Sequence, residues 1–308
     1  MADRIAIVWN PSKTSREDLE TALPEGAGPV SWYETTPEDP GRGAAGEALA
    51  AGAGVVVAAG GDGTVRAVAE RLAEEESEAE LVIVPLGTGN LLARNLGVPV
   101  GDLAGALGRA FGGESRAIDL GWVEAEVEDG PVSRAFAVIA GFGIDAHMIV
   151  ETDEDLKSKV GWLAYVESLG RALSATEVVD FTIAVDGGEP EAESGHTLMV
   201  GNCGTLQGGV TLLPDADPAD GELDLLLLSA EGVGQWLDTL RSFVWDNGIR
   251  RLFGGGDKAR SAETAAHARA RKVVVELSRP RVLEIDGEDL GETSAFTITV
   301  RPAAVRVR

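Results

Sequence analysis

The chain has a single cysteine, Cys203, among 308 residues. No intrachain disulfide can form, and a reducing compartment is the natural setting. Basic residues are also scarce. There are 26 Lys and Arg against 51 Asp and Glu, a formal net charge of −25. Nucleic-acid phosphates need a cationic surface, so this deficit argues against nucleic-acid binding. Long hydrophobic runs are absent too: no window approaches the ~20 apolar residues of a membrane-spanning helix. The opening run, in "MADRIAIVWNP", is shorter than the core of a signal peptide. A cytoplasmic protein is expected, with any membrane contact peripheral. The three histidines, His147, His196 and His267, have no metal-ligand spacing and read as structural.

Apolar residues make up 44% of the chain, enough to build one large or two ordinary domains. "RIAIVWN" (Arg4–Asn10) reads as a strand ending in the turn "NPSKTS", and Ser15 is placed to cap a helix starting at Arg16. "VSWYE" is a second strand, followed by a Pro/Gly loop and the Ala-rich helix "AAGEALAAG". "VVVAAG" and "LVIVPLG" are continuous apolar runs of the kind buried on both faces of a parallel sheet. A helix from Val65 to about Glu76 lies between them, with Val65, Val68, Ala69 and Leu72 on one face. Further helices start at Leu91 and Leu103.

This βαβα alternation predicts a parallel sheet covered by helices over residues 1–120. After "RAIDLGWVE", strand-like runs cluster at Phe136–Ala140, Phe181–Asp186, Thr197–Gly201, Leu223–Leu228, Val273–Leu277, Val282–Ile285 and Phe296–Val300. Helical segments at Gly161–Leu173 and Val233–Phe253 interrupt them. The second domain is therefore expected to be β-rich.

The stretch "VVVAAGGDGTVRAVAERL" concentrates the functional signal. Gly60, Gly61 and Gly63 let the backbone turn tightly and approach a ligand. The loop joins the carboxyl end of a parallel strand to a helix start, where ligands bind and amides favour anions. It lacks the lysine of the GxxxxGK[ST] phosphate loop and carries Asp62 instead. A carboxylate among phosphate-cradling amides makes sense in phosphoryl transfer, as a metal ligand or a proton acceptor. The plainer alternative is a strand–turn–helix in which Asp62 is the N-cap. "PLGTGN" supplies Thr88 and Asn90 for hydrogen bonds to a nucleotide or phosphate, and "NPSKT" supplies Lys13; both turns lie at the same sheet edge.

"NPSK", "GGDGTV" and "PLGTGN", in this order, resemble the diacylglycerol kinase catalytic family, and more narrowly the bacterial soluble lipid kinases related to sphingosine kinases. The resemblance continues through "IDLG", "GFGIDA", "LLPDADPADGELDL" and "IDGED", and so covers nearly the whole chain. "GGDGT" alone is shared with NAD kinases and phosphofructokinases. The resemblance implies a phosphofructokinase-like α/β domain followed by a β-sandwich, with the chain end returning to the first domain. The expected boundaries are 1–120 plus 296–308 for the nucleotide-binding domain and 121–295 for the lipid-substrate domain.

It also implies ATP and magnesium as cofactors. Asn10, Lys13, Thr36, Gly60, Gly61, Asp62, Gly63, Thr64, Val65, Thr88 and Asn90 would line the nucleotide site, with Thr35 fitting nearly as well as Thr36. Asp62 would organise magnesium and the phosphates. Glu288 resembles the base that takes the proton from the acceptor hydroxyl, its basicity expected to rise through burial and through neighbouring Asp286. From its local sequence alone "DGE" reads as a hairpin turn, and only the accompanying motifs turn the reading toward a base. Asp119 resembles an aspartate at the domain junction, linked through water to a structural magnesium. Asp217 and Asp220, with the Glu222 carbonyl, would hold that ion. Lys157 or Lys159 would complete charge contacts at the cleft. The family often has an aspartate where this chain has Leu91.

The implied activity is transfer of the γ-phosphoryl group of ATP to the hydroxyl of diacylglycerol or a related lipid. A kinase of a soluble substrate such as NAD, and a non-catalytic lipid- or nucleotide-binding regulator, are the alternatives. A lipid kinase must draw its substrate from a bilayer. Residues 236–281 offer a peripheral contact: Trp236, Leu240, Phe243 and Val244 share a helical face. Ile249–Arg281 then carries nine Lys or Arg against three acids, net +6. A core helix followed by a solvated basic loop explains the same residues. Sequence leaves the oligomeric state open, a homodimer included.

Overall fold

The computed structural model describes residues 4–143, 177–206, 211–228 and 265–308. The helices expected at Gly161–Leu173 and Val233–Phe253 lie outside them, as do His147, Lys157, Lys159 and the aromatic face at 236–244. Strands β1 (Ile5–Trp9), β2 (Val30–Glu34), β3 (Val55–Gly60) and β4 (Glu80–Pro85) pair in parallel in the order β2-β1-β3-β4. Helices α1 (Arg16–Ala22), α2 (Arg42–Ala50) and α3 (Asp62–Glu74) connect them, and α4 (Leu91–Asn95) and α5 (Leu103–Gly108) follow. Ser15 caps α1 as expected, accepting the Asp18 N–H at 3.1 Å.

The apolar runs are continuous because both faces of the sheet are covered. In β3, Val56 and Ala58 point into a core shared with α2 and α3 through Ala45, Ala48, Val68 and Leu72. Val55, Val57 and Ala59 point the other way, onto Leu19 of α1 and Leu107 of α5.

The rest of the chain is β-structure, with strands β5 (Arg116–Val127), β6 (Gly130–Phe136), β7 (Ile139–Phe142), β8 (Val179–Val185), β9 (Glu191–Gly195), β10 (Thr197–Gly201), β11 (Leu223–Leu228), β12 (Ala265–Ala270), β13 (Lys272–Ile285) and β14 (Glu288–Val307). Their core is built on Phe136, Phe142, Phe181, Phe296, Leu198 and Ile298, with Phe142 edge-on to Phe181 at 5.7 Å. The architecture is an α/β unit followed by a β unit.

Strand β14 joins the two. It pairs antiparallel with β13 and β5, and its last residues pair parallel with β4, Arg306 opposite Glu80 and Val307 opposite Leu81. The chain end thus returns to the first unit. Hydrogen-bonded pairing runs unbroken from β12 to β2.

Several strand boundaries differ from the sequence reading, for local reasons. The run Phe136–Ala140 is not one strand. It breaks between β6 and β7 because the Asp286 carboxylate takes the amides of Ala137, Val138 and Ile139 at 2.8–2.9 Å. Val273–Leu277 and Val282–Ile285 are one strand, β13, with register shifts between Glu276 and Arg281 and between Val282 and Glu284. β5, β9 and β12, and β6 apart from Phe136, lie beyond the strands expected from sequence. The exposed part of β9, Glu191–Ser194, is polar and gives no apolar alternation.

Candidate active site

Four loops leave the carboxyl ends of four adjacent parallel strands and converge at one edge. After β3, Gly60 and Gly61 lead into α3. A Cβ on Gly60 would lie 2.6 Å from the Thr64 side chain. After β4, a Cβ on Gly87 would lie 2.7 Å from the Gly61 Cα. The two glycine loops therefore touch backbone to backbone, closer than side chains permit. Gly61 is the N-cap of α3 and supplies no side-chain cap. The first-turn amides of Asp62, Gly63 and Thr64 have no intrahelical acceptor, and they sit at the positive end of a 13-residue helix. An anion fits there.

Asp62 is the first residue of α3, not its N-cap. Its carboxylate reaches across to the second loop, accepting the Asn90 N–H at 2.8 Å and the Leu91 N–H at 2.5 Å. It braces the two loops, and each oxygen retains a lone pair for a further donor or a cation. Leu91 contributes through its backbone to the brace.

The expected nucleotide-lining residues divide in two. Lys13, Thr36, Gly63 and Thr88 are exposed along the edge. Asn10 accepts from the Ser12 N–H at 2.9 Å and its hydroxyl at 2.8 Å, shaping the β1 turn. Thr36 accepts the Asp39 N–H at 3.0 Å. Thr35 is buried, and its N–H donates to the Trp9 carbonyl, so Thr36 is the threonine presented at the surface. Thr64 and Val65 are buried against the sheet. Asn90 turns inward rather than toward a ligand. It is 4% exposed in a left-handed backbone conformation. Its carbonyl oxygen accepts from the Gly87 N–H, and its amide donates to the Gly87 carbonyl. It staples the loop.

Glu288 comes to α3 from the far end of the chain. The hairpin joining β13 to β14 turns on Asp286 and Gly287, both with positive φ, a type I′ pattern that pairs Ile285 with Glu288. The hairpin reading of "DGE" therefore holds, and Glu288 is the first residue after the turn. The expected burial of Glu288 is absent: its side chain is 51% exposed. Its charged partner is Arg66 of α3, which sequence reasoning missed. Asp286 is buried and committed to the three amides of Ala137–Ile139. Burial pushes its carboxyl up from the ordinary value, while those amides and Arg66 oppose the shift. In Asp286→Asn the side-chain NH₂ would face at least one of these N–H groups. A loss of about 1–3 kcal/mol is expected in chemical denaturation, and an unchanged midpoint would show that the turn does not depend on the carboxylate.

Asp119, also buried, ties the "DPADGE" loop to the junction through its own hydrogen bonds. Its carboxylate accepts from Gly221 N–H and Ala303 N–H, both at 2.7 Å, and its own N–H donates to the Pro218 carbonyl at 2.6 Å. Asn202 adds bonds to the carbonyls of Asp119 and Ala137. Asp217 and Asp220 each accept an amide two residues on, from Ala219 and Glu222. Among the described residues no group of three or more His, Cys, Asp or Glu side chains surrounds a common metal position. The expected set is smaller, two carboxylates and a carbonyl. The loop gathers Asp215, Asp217, Asp220, Glu222 and Asp224, with Arg269 and Arg271 as the nearby cations. Burial is the main cause that pushes the Asp224 carboxyl up, and Asp220 and Asp215 add to it. An all-oxygen, net-negative set suits a hard divalent cation.

Comparison with known proteins matches this geometry. Residues 8–123 match the diacylglycerol kinase catalytic domain, and residues 138–308 match the YegS C-terminal NAD kinase beta sandwich-like domain. A protein of Pseudomonas aeruginosa (strain UCBPP-PA14) named "Probable lipid kinase YegS-like" is 32% identical over 308 residues, covering 99% of this chain and 94% of its own. One of the same name from Pseudomonas fluorescens is 35% identical over 269 residues, covering 85% and 79%. A crystal structure of a diacylglycerol kinase from Bacillus anthracis str. Sterne superposes with a TM-score of 0.68 at 19% identity, covering 99% of this chain and 96% of that one, and shares the fold. With the catalytic and C-terminal domain models in succession and this identity across its length, the chain belongs to the YegS-like lipid kinase family.

Proposed function

We propose that the protein transfers the γ-phosphoryl group of ATP to the hydroxyl of diacylglycerol or a related lipid. The observation that carries this reading is that uncapped amides and Asp62 lie at the start of α3 and that Glu288 is held by Arg66 one turn along the same helix. The first-turn amides would cradle phosphate oxygens, and Lys13 and Thr88 lie exposed at the same edge to contact the nucleotide. Asp62 holds the two glycine loops in register and has lone pairs for magnesium. The Asp217, Asp220 and Glu222 loop would hold a second ion that stiffens the junction through Asp119. Magnesium, when bound, supplies charge neutralisation to the phosphate oxygens. Glu288 takes the hydroxyl proton as the lipid oxygen bonds to phosphorus and the bond to ADP breaks.

No helix among the described residues is long and apolar enough to cross a membrane. We propose that the lipid is drawn from a bilayer through residues 236–281, whose cationic excess opposes the charge of the whole chain. Residues up to 264 of this segment lie outside the described residues. The test is incubation with labelled ATP and magnesium against diacylglycerol, ceramide, sphingosine and phosphatidylglycerol in vesicles, with NAD as a soluble arm. NAD is included because residues 138–308 match a domain described as NAD kinase-like. A labelled lipid is expected, with more product on anionic vesicles and less at high salt. Labelled NAD and no labelled lipid would overturn the reading.

A further inference from the structure

Arg66 lies one helical turn after Asp62, on the same face of α3. It is 2% exposed, although it carries a full charge. Its guanidinium meets two carboxylates of opposite character. Glu70, at 3.5 Å, is 1% exposed; Glu288, held by Nη2, is 51% exposed. Glu70 is itself anchored. It accepts the Ala135 N–H at 3.0 Å, and Arg42 and Arg134 flank it, each at 3.4 Å. A buried anion fixed on several sides thus engages Nη1 of the arginine, and Nη2 is left to hold Glu288.

Glu288 needs such a partner. Its hairpin fixes the backbone, through the Ile285–Glu288 pairing, but not the side chain. A half-exposed glutamate samples many rotamers, and most of them would not point at an acceptor hydroxyl. A planar guanidinium that is itself immobilised restricts the carboxylate better than a flexible ammonium would.

We propose that Arg66 is the positioning residue for Glu288, fixing the carboxylate of a base carried by one unit against a helix of the other. The inference rests on the reading of Glu288 as the base. Glu70 completes the device because it holds the guanidinium whether or not Glu288 is engaged.

The test is a kinetic double-mutant cycle with the lipid and ATP. Arg66→Gln should lower kcat roughly 10- to 100-fold, the scale of a misplaced reacting group, with KM for ATP unchanged. Arg66→Lys should recover part of the loss, because it keeps the charge but not the fork. In the Glu288→Gln background, Arg66→Gln should cost nothing further. Equal losses in both backgrounds, or a raised KM for ATP with kcat intact, would overturn the proposal while leaving Glu288 as the base. A parental kcat in Glu288→Gln alone would remove the base and the inference together. Thermal unfolding is followed throughout, since Arg66→Gln takes one guanidinium from buried Glu70. If that variant does not fold, the cycle is run with Arg66→Lys, and an equal loss in both backgrounds again overturns the proposal.

Discussion

Asp62→Asn is expected to lower turnover by about 10²- to 10³-fold, the range for loss of one preorganised electrostatic group, in a protein that still folds. The carboxylate accepts two backbone amides, one from Asn90 and one from Leu91. Asparagine keeps one acceptor and turns an NH₂ toward the other N–H, so donor meets donor. That costs about 1–3 kcal/mol. The cost is local to the two glycine loops, because the bonds concerned run from Asp62 to Asn90 and Leu91.

The charge that would meet magnesium at the phosphates is lost as well. Titration with magnesium separates the two contributions. Loss of a ligand raises the concentration needed for half-maximal rate, whereas loosened loops alone lower the plateau. Near-parental turnover in folded Asp62→Asn would remove Asp62 from the machinery.

Glu288→Gln should lower kcat by roughly 10²- to 10⁴-fold, the span for a general base, and leave KM for ATP close to the parent. Glutamine can still accept from Arg66 through its carbonyl oxygen, so the side chain keeps its place and loses its capacity to take a proton. Stability should change little, since Glu288 is half exposed and buried Arg66 keeps Glu70 as its counter-ion. Collapse of ATP affinity with full turnover at saturation would make Glu288 a nucleotide ligand instead.

The two substitutions probe what was unevenly legible in the sequence. The glycine loops were legible because their chemistry is local. A continuous apolar strand, glycines that let the backbone turn, and a helix start within a few residues imply a ligand edge wherever the sheet is parallel. The direction of the Asn90 side chain was not legible, for a related reason. An asparagine in a glycine turn offers hydrogen bonds in any direction, and only its left-handed backbone, packed under Gly87, turned them inward. Asp286 looked like a neighbour able to tune Glu288. The register of β13 against β7 instead spent it on three amides.

By itself the sequence determined the βα alternation, the parallel sheet, the gathering of polar loops at its carboxyl edge and the change to β-structure after residue 120. Each follows from hydrophobic period and turn residues within a short window. The tertiary structure decided which distant groups meet. Arg66 and Glu288 are 222 residues apart and form an ion pair because β14 pairs with β13, β5 and β4 in one registered path. Asp119 closes on Gly221 and Ala303 by the same logic. Such contacts depend on strand register and burial, which are properties of the assembled sheet that no local pattern encodes.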